Sequence, residues 1–174
     1  KGIMRARDAL ERAQYKAAFT TPPNPALLIE AAHSFENATR LDERYSAAWA
    51  DLGATRRHLG EFTPAAEAFT RAVTYDPIHP SWHMAQGDAW LAAGAPFRAG
   101  EAYGAAVSSA PTLLPSLVDR VLLARGPDFD VLAQLVAESP QGYFELGQVL
   151  AVRGFRVEAW RLLSSAALAD PHRP

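Results

Sequence analysis

The chain has 174 residues, of which 49% are hydrophobic and 21% charged, and this ordinary globular composition argues against wholesale disorder. Its formal net charge of −2 excludes the basic footprint expected for nucleic acid or an anionic membrane. No apolar run approaches the roughly 20 residues of a membrane-spanning helix. The absence of cysteine excludes disulfides, zinc fingers and thiol chemistry. Because the chain starts at Lys1 rather than at Met, we expect a processed or partial piece of a longer protein.

An internal repeat organises the sequence. Six positions return after a shift of 34 residues and again after a further 60. The recurring sets are Gly53, Gly60, Ala65, Phe69, Ala72 and Pro77, then Gly87, Gly94, Ala99, Tyr103, Ala106 and Pro111, and finally Gly147, Gly154, Ala159, Leu163, Ala166 and Pro171. We therefore predict one array over residues 1–174, with a degenerate first unit at 1–45, full units at 46–79, 80–113 and 140–173, and a shortened unit at 112–139.

The first repeat, 1–45, keeps the pattern of a second helix but lacks the glycines and the proline that end the helices of the other repeats. Ala31, Phe35 and Ala38 stand at the expected helical positions, whereas the two glycines and the proline are replaced by Phe19, Ala26 and Glu43. A proline-rich insertion, Thr21–Pro25, is expected to be a rigid loop because each proline restricts its own backbone.

The unit 46–79 predicts two amphipathic helices and a tight turn. Trp49, Leu52 and Arg56 share one face of the first helix. Gly60 is expected to be a left-handed C-cap, a conformation that glycine adopts without steric cost. Thr63 is expected to cap the second helix, with Pro64 at its first position.

The second helix of this unit presents small and large apolar residues before it ends at Asp76-Pro77. Ala65, Phe69, Ala72 and Val73 form its apolar face. Because helices approach closely only where side chains are small, we expect Gly53 to face Ala65 at the crossing. The larger Trp49 and Phe69 would then fill the space on either side.

The segment 112–139 predicts an eroded repeat that bends the array. A first helix is expected around Leu117, Val121 and Leu122, then a break at Gly126-Pro127, then a short helix around Val131 and Leu135. Asp128 and Asp130 fall at the start of the short helix, where carboxylates cap the first turn and favour the helix dipole.

The motif residues resemble the tetratricopeptide repeat (TPR), a 34-residue helix-turn-helix unit. Trp49-Ala50-Asp51-Leu52-Gly53 matches its W-x2-L-G signature, Ala65 through Phe69 matches A-x3-F, and Pro77 matches the terminal proline. The resemblance covers about residues 12–173. Departures are His83 where tryptophan is expected, with Trp82 beside it, and Arg56 in place of an aromatic. The resemblance implies an all-α solenoid, a right-handed superhelix that binds protein or peptide in a concave groove.

The register of this resemblance predicts which side chains line the groove. They are Ala47, Ala50, Ala54, Arg57 and His58 in one unit, Ser81, Met84, Asp88 and Leu91 in the next, and Phe144 and Gln148 in the last. Such a small, apolar centre suits an amphipathic helix or an apolar extended segment. Co-chaperone repeats grip a terminal carboxylate with lysines and asparagines, and the equivalent positions here hold none, so we exclude that clamp.

Two polar clusters allow more than one interpretation. His79 and His83 have the i, i+4 spacing of metal ligands, but a turn histidine plus a half-buried histidine is the favoured interpretation because no third ligand is near. Arg40, Arg44, Arg56 and Arg57 form either a basic patch for an acidic ligand or, preferably, an ion-pair network with Asp42, Glu43 and Asp51.

Catalytic and phosphate-binding motifs are missing from the sequence, so we predict no enzyme activity, cofactor or metal. The last helix carries Trp160, Leu163 and Ala167 on a face that nothing following covers. Either the native protein continues or this edge meets another chain, since a large exposed apolar patch usually marks an interaction site. Three functions stay open: a protein-binding scaffold, a self-assembling homo-oligomer such as a homodimer, and the substrate-recruiting arm of a larger enzyme such as a glycosyltransferase.

Overall fold

A computed structural model describes residues 24–136 and 138–169, and these form helices and turns without a strand. The helices are α1 (Pro25–Leu41), α2 (Ser46–His58), α3 (Phe62–Tyr75), α4 (Pro80–Ala92), α5 (Pro96–Ser109), a 3-10 turn (Pro111–Leu113), α6 (Leu114–Arg125), α7 (Phe129–Ala133), α8 (Pro140–Val152) and α9 (Arg156–Ala169). Within the described ranges, none is long and apolar enough to cross a membrane. The predicted all-α class is confirmed.

The helices group into two compact units that are described in turn, one ending at Ala95 and the other beginning at Pro96. This division falls between α4 and α5, inside the predicted repeat 80–113. Several sequence expectations lie outside the described residues: the role of Phe19, most of the proline-rich loop Thr21–Pro25, and the terminal punctuation Asp170-Pro171.

The turn predicted at Gly60 is confirmed and recurs along the chain. Gly60 has a φ of 79°, and Gly94 and Gly154 have φ values of 77° and 88°. At the first turn, the Gly60 N–H donates to the Arg57 carbonyl at 3.0 Å and the Glu61 N–H donates to the Arg56 carbonyl at 2.9 Å. These bonds satisfy carbonyls that a helix end leaves without partners, so each turn closes its hairpin at low cost.

The predicted cap at Thr63 is wrong. Helix α3 begins at Phe62, and Glu61 takes the N-cap position without a side-chain cap bond. The Gly60 turn already directs the chain into the helix, so that the Glu61 carbonyl accepts from the Ala65 N–H at 2.9 Å. Pro64 therefore lies inside the first turn, where a missing N–H leaves no intrahelical bond unmade.

The core of the compact unit that ends at Ala95 joins three helices. Phe35 of α1, Leu52 of α2 and Ala68 of α3 form a buried cluster together with Ala31 and Ala32 of α1. The partly buried Trp49 and Leu59 pack against this cluster. The second helix that the sequence predicts for the degenerate repeat 1–45 is thus present as α1, and its apolar face packs on the hairpin α2–α3.

The close helix approach predicted at Gly53 is present, and Phe69 is the side chain that lies directly against the glycine. A Cβ added to Gly53 would lie 2.9 Å from ring carbons of Phe69. In the last described hairpin, a Cβ on Gly147 would lie 2.9 Å from Cγ of Leu163 and 3.3 Å from the carbonyl oxygen of Ala159, the repeat equivalent of Ala65. A large side chain therefore covers each glycine directly, because that glycine alone leaves room for it.

The eroded segment folds in the second unit as α6 and the five-residue α7. The break at Gly126-Pro127 is confirmed by the end of α6 at Arg125 and the Gly126 φ of 73°. Asp128 caps α7 by accepting from the Val131 N–H at 3.3 Å. Leu135 was expected within this helix but lies in the turn after it, and it is buried nonetheless.

Glycines on α5 make room for α7. A Cβ on Gly100 or on Gly104 would collide with Gln134, which follows directly after α7. The end of α8 is tied to α6 by Arg153, whose Nη2 donates to Asp119 Oδ2 at 2.7 Å and to the Pro115 carbonyl at 2.8 Å. Hydrogen bonding from Arg153 lowers the pKa of Asp119.

The ion pair between α1 and α2 predicts a pH-dependent stability. Arg56 Nη2 donates to Glu36 Oε1 at 2.7 Å, and this hydrogen bond holds the pKa of Glu36 below its ordinary value of 4.5. On acidification, the Glu36 carboxyl takes up its proton at a lower pH in the folded protein than in the unfolded chain. The ion pair therefore stabilises the fold fully above about pH 4.5, and this contribution is lost as the pH falls through the folded pKa.

We expect Glu36→Gln to lower the free energy of unfolding at pH 7 by about 1 kcal/mol, as partly exposed ion pairs do. The difference from the wild type should vanish on acidification, which urea denaturation at a series of pH values measures. Glu67→Gln on the exposed side of α3 is the matched control and should change nothing at pH 7. A Glu36→Gln difference that persists unchanged at low pH would contradict this role for the ion pair.

Candidate functional site

The groove residues predicted for the repeats 46–79 and 80–113 lie on α2 and α4. Arg57 Nη1 on α2 lies 3.7 Å from Asp88 Oδ2 on α4, so the two helices adjoin at this level. Helical periodicity places Met84 and Leu91 on the same stripe as Asp88, and Ala47 and Ala54 on the same stripe as Arg57. We call this surface the α2–α4 face; its residues are Ala47, Ala54, Arg57, His58, Ser81, Met84, Asp88 and Leu91.

Burial separates the members of this set. Ala50 is only 6% exposed, so it belongs to the packed interior and offers almost no contact surface. Ala54, Met84 and Leu91 are half-buried, whereas His58 and Ser81 are exposed. The α2–α4 face therefore consists of small and apolar side chains partly open to solvent, with charge concentrated near the C-terminal end of α2.

Arg57 and Asp88 form a partly exposed ion pair at the charged end of the face. The Arg57–Asp88 separation of 3.7 Å exceeds hydrogen-bond length, and the two side chains are 38% and 23% exposed. Exposed pairs of this kind contribute about 0–1 kcal/mol. Reorienting the Arg57 guanidinium toward another carboxylate would thus cost little.

His58 extends this charged end without adding charge. Removal of part of its ring from water, and then the neighbouring Arg57 charge, lower the pKa of His58 below 6.5. The imidazole is therefore neutral at pH 7, and Arg57 supplies the positive charge of this end.

Consecutive arginines on α2 reach different neighbours. Arg56 pairs with Glu36 on α1, whereas Arg57 approaches Asp88 on α4. On α3, Arg71 lies 4.0 Å from Glu43, and the Arg44 N–H donates to Asp42. Of the four clustered arginines, Arg56 and Arg57 thus form ion pairs, but with Glu36 and Asp88 rather than with the expected Asp42, Glu43 and Asp51. Arg44 contacts Asp42 only through its backbone N–H, and the Arg40 side chain donates to the Asn37 amide oxygen.

The two histidines of the i, i+4 pair serve local structure. His79 precedes α4, with Nε2 3.0 Å from Asp76 Oδ2 and its ring centroid 4.2 Å from that of Trp82. His83 is buried, and its Nε2 lies 3.0 Å from the Pro77 carbonyl. Across the described part of the chain, no three His, Cys, Asp or Glu side chains gather into a potential metal site.

The remaining predicted groove residues, Phe144 and Gln148, lie on α8 in the second unit. Phe144 is half-buried and Gln148 is exposed. On α9, Trp160 is 70% exposed and Ala167 is also exposed. Leu163 was expected on the same open edge, but it covers Gly147 and therefore belongs to the α8–α9 packing.

A feature that sequence reasoning missed is a cavity of about 170 Å³ between α7, α8 and α9, here called the α7–α9 cavity. Leu132, Leu146 and Leu150 form its buried floor. Around its mouth lie Phe129, Ala133 and Leu162, which are half-buried, and the charged Glu158 and Arg161. These residues come from three separate helices, so no local sequence pattern announces the cavity.

Neither protein-family models nor curated proteins match this chain. Solved structures do. The crystal structure of MamA has a TM-score of 0.53 at 17% identity, covering 95% of this chain and 78% of that chain. TTC0263, a thermophilic TPR protein in Thermus thermophilus, has a TM-score of 0.51 at 19% identity, covering 96% of this chain and 92% of that chain.

The fold shared with these structures is the tetratricopeptide-repeat fold, an all-α class of helix-turn-helix solenoids. The fold inferred from Trp49–Gly53, Ala65–Phe69 and Pro77 is therefore confirmed.

Proposed function

We propose that this chain is a non-enzymatic interaction scaffold whose α2–α4 face binds a peptide or protein segment of a partner. The observation that carries the proposal is the pairing of two adjacent helices that expose small and apolar side chains, closed at one end by Arg57 and Asp88. The TPR fold supports a role in protein interaction, because stacked repeats present extended binding surfaces.

The composition of the face defines the chemistry of the bound segment. Alanines at positions 47 and 54 leave shallow space that larger apolar side chains of a ligand can fill, and Met84 adapts to ligand shape because its side chain is unbranched and polarisable. An amphipathic helix or an extended apolar segment fits this surface. A carboxylate on that segment would bind the Arg57 guanidinium, which pairs with planar anions through two parallel hydrogen bonds.

A selection experiment tests this proposal. Peptides of about 12 residues, roughly the length of a three-turn helix, are selected by phage display on the 174-residue chain, and enriched peptides are labelled with a fluorophore. The double variant Arg57→Glu/Met84→Asp should weaken their binding by roughly 30-fold or more, since it removes one charged and one apolar anchor. Fluorescence anisotropy titrations measure the change.

Arg71→Glu provides the matched control, because it reverses a charge on the exposed side of α3 in the same unit. Control and wild type should bind alike, and circular dichroism should show equal helicity for all three proteins. The proposal is wrong if no peptide is enriched, or if the double variant binds enriched peptides as tightly as the control does.

A further inference from the structure

The size of the α7–α9 cavity limits what it can accept. Its volume of about 170 Å³ lies well below the roughly 300–1,000 Å³ of pockets that hold cofactors or drug-sized ligands. An apolar cavity of about 150 Å³ accommodates a single benzene-sized ring. The leucine floor and the half-buried mouth therefore suit one aromatic side chain inserted from outside.

The rim favours an indole over a simple phenyl ring. Glu158 brings a carboxylate to the mouth, and an indole N–H can donate to such an acceptor while its ring enters an apolar space. Arg161 on the same rim can stack on the ring face, where cation–π attraction is strongest for tryptophan. The cavity thus combines apolar depth with the two polar partners that tryptophan uses.

The same unit also presents an exposed tryptophan. Trp160 on α9 is 70% exposed, and the repeat-equivalent positions 94 and 60 residues earlier hold the small, buried Ala66 and Gly100. The repeat therefore does not require an aromatic residue at this position. Successive helical residues are rotated by about 100°, so Trp160 points roughly opposite to Leu162 and Glu158, which line the cavity, and cannot fill the cavity of its own chain.

We propose that Trp160 of one copy inserts into the α7–α9 cavity of a second copy. Aromatic anchors in fitted pockets commonly dominate interface energies, and here anchor and pocket occur on each chain. In the head-to-tail form of this contact each copy offers its Trp160 to one neighbour and its cavity to another, so the contact repeats into a ring or a filament, whereas reciprocal insertion would close a two-fold dimer. This association uses α7–α9 and is independent of the α2–α4 face.

Complementary variants test the head-to-tail contact. Trp160→Ala removes the anchor and leaves the cavity, whereas Ala133→Phe blocks the cavity mouth and leaves the anchor. Wild type should assemble with rising concentration in sedimentation velocity, and each variant alone should weaken this assembly by roughly 30-fold or more. An equal mixture of the two variants should form a one-to-one complex and no larger assembly. The only contact left is Trp160 of the Ala133→Phe variant in the open cavity of the Trp160→Ala variant.

Two further variants keep the outcome decisive. Leu162→Phe blocks the cavity from α9 and replaces Ala133→Phe if the latter lowers helicity or thermal stability. Phe97→Ala, which removes another exposed aromatic side chain, should assemble as the wild type does. The inference is overturned if the wild type stays monomeric at all concentrations, if Trp160→Ala assembles normally, or if the mixture forms no one-to-one complex. A symmetric α9–α9 contact would instead predict that the mixture forms no one-to-one complex and that Ala133→Phe assembles as the wild type does.

Discussion

Gly53→Leu is expected to lower the free energy of unfolding by about 3 kcal/mol or more. Even a Cβ at this position would lie 2.9 Å from the Phe69 ring, closer than side-chain carbons pack, so a whole leucine must push α2 and α3 apart. The smaller change Gly53→Ala should cost about 2 kcal/mol, although alanine favours a helix over glycine by about 1 kcal/mol.

A double-mutant cycle isolates the steric cause. In a Phe69→Ala background the added methyl group meets no ring, and Gly53→Ala should then stabilise the protein by up to about 1 kcal/mol through helix propensity. Urea denaturation followed by circular dichroism gives all four free energies. Ala54→Leu, one residue further on the half-buried face, should stay within about 0.5 kcal/mol of the wild type. The same sign for Gly53→Ala in both backgrounds would show that Phe69 is not the obstacle.

The second large effect is expected at Phe35. Its side chain is completely buried in the cluster shared by α1, α2 and α3, so Phe35→Ala should cost about 4 kcal/mol by loss of buried surface and creation of a cavity. Trp49→Ala should cost less, about 2–3 kcal/mol, despite the larger side chain. Trp49 packs at the margin of this cluster and remains partly in water, so that its removal loses less buried surface. This difference outweighs the additional loss of the hydrogen bond that Nε1 donates to the Glu43 carbonyl.

The order of these two values tests which side chain is at the centre of this cluster. The structure places Phe35 there and Trp49 of the W-x2-L-G motif at the margin. Chemical denaturation of both variants, with protection of α2 amides from hydrogen exchange as a local readout, compares them. A larger loss for Trp49→Ala than for Phe35→Ala would mean that the hairpin α2–α3 is stable without α1.

The two proposed surfaces lie in different compact units, and this separation makes them independently testable. Variants of Arg57 and Met84 alter the first unit, while variants of Trp160 and Ala133 alter the second. A chain with both activities would bring several bound segments together in one assembly. That combination is what a scaffold requires, and neither activity needs a catalytic group.

Local chemistry explains how much the sequence determined by itself. The helices, the left-handed turn at Gly60, the break at Gly126-Pro127 and the cap at Asp128 follow from residues within a few positions of one another, so periodicity and backbone preferences were sufficient to predict them. The recurrence of those local signals at the spacing of a 34-residue unit then identified the helix-turn-helix fold.

Only the tertiary structure decided which distant residues meet. It placed Phe69 directly over Gly53, turned Leu163 inward onto Gly147, and paired the adjacent Arg56 and Arg57 with α1 and α4 respectively. It also formed a cavity from three helices beside an exposed Trp160. Such contacts depend on how whole helices cross, and a small change in crossing angle exchanges one neighbour for another without altering the sequence pattern.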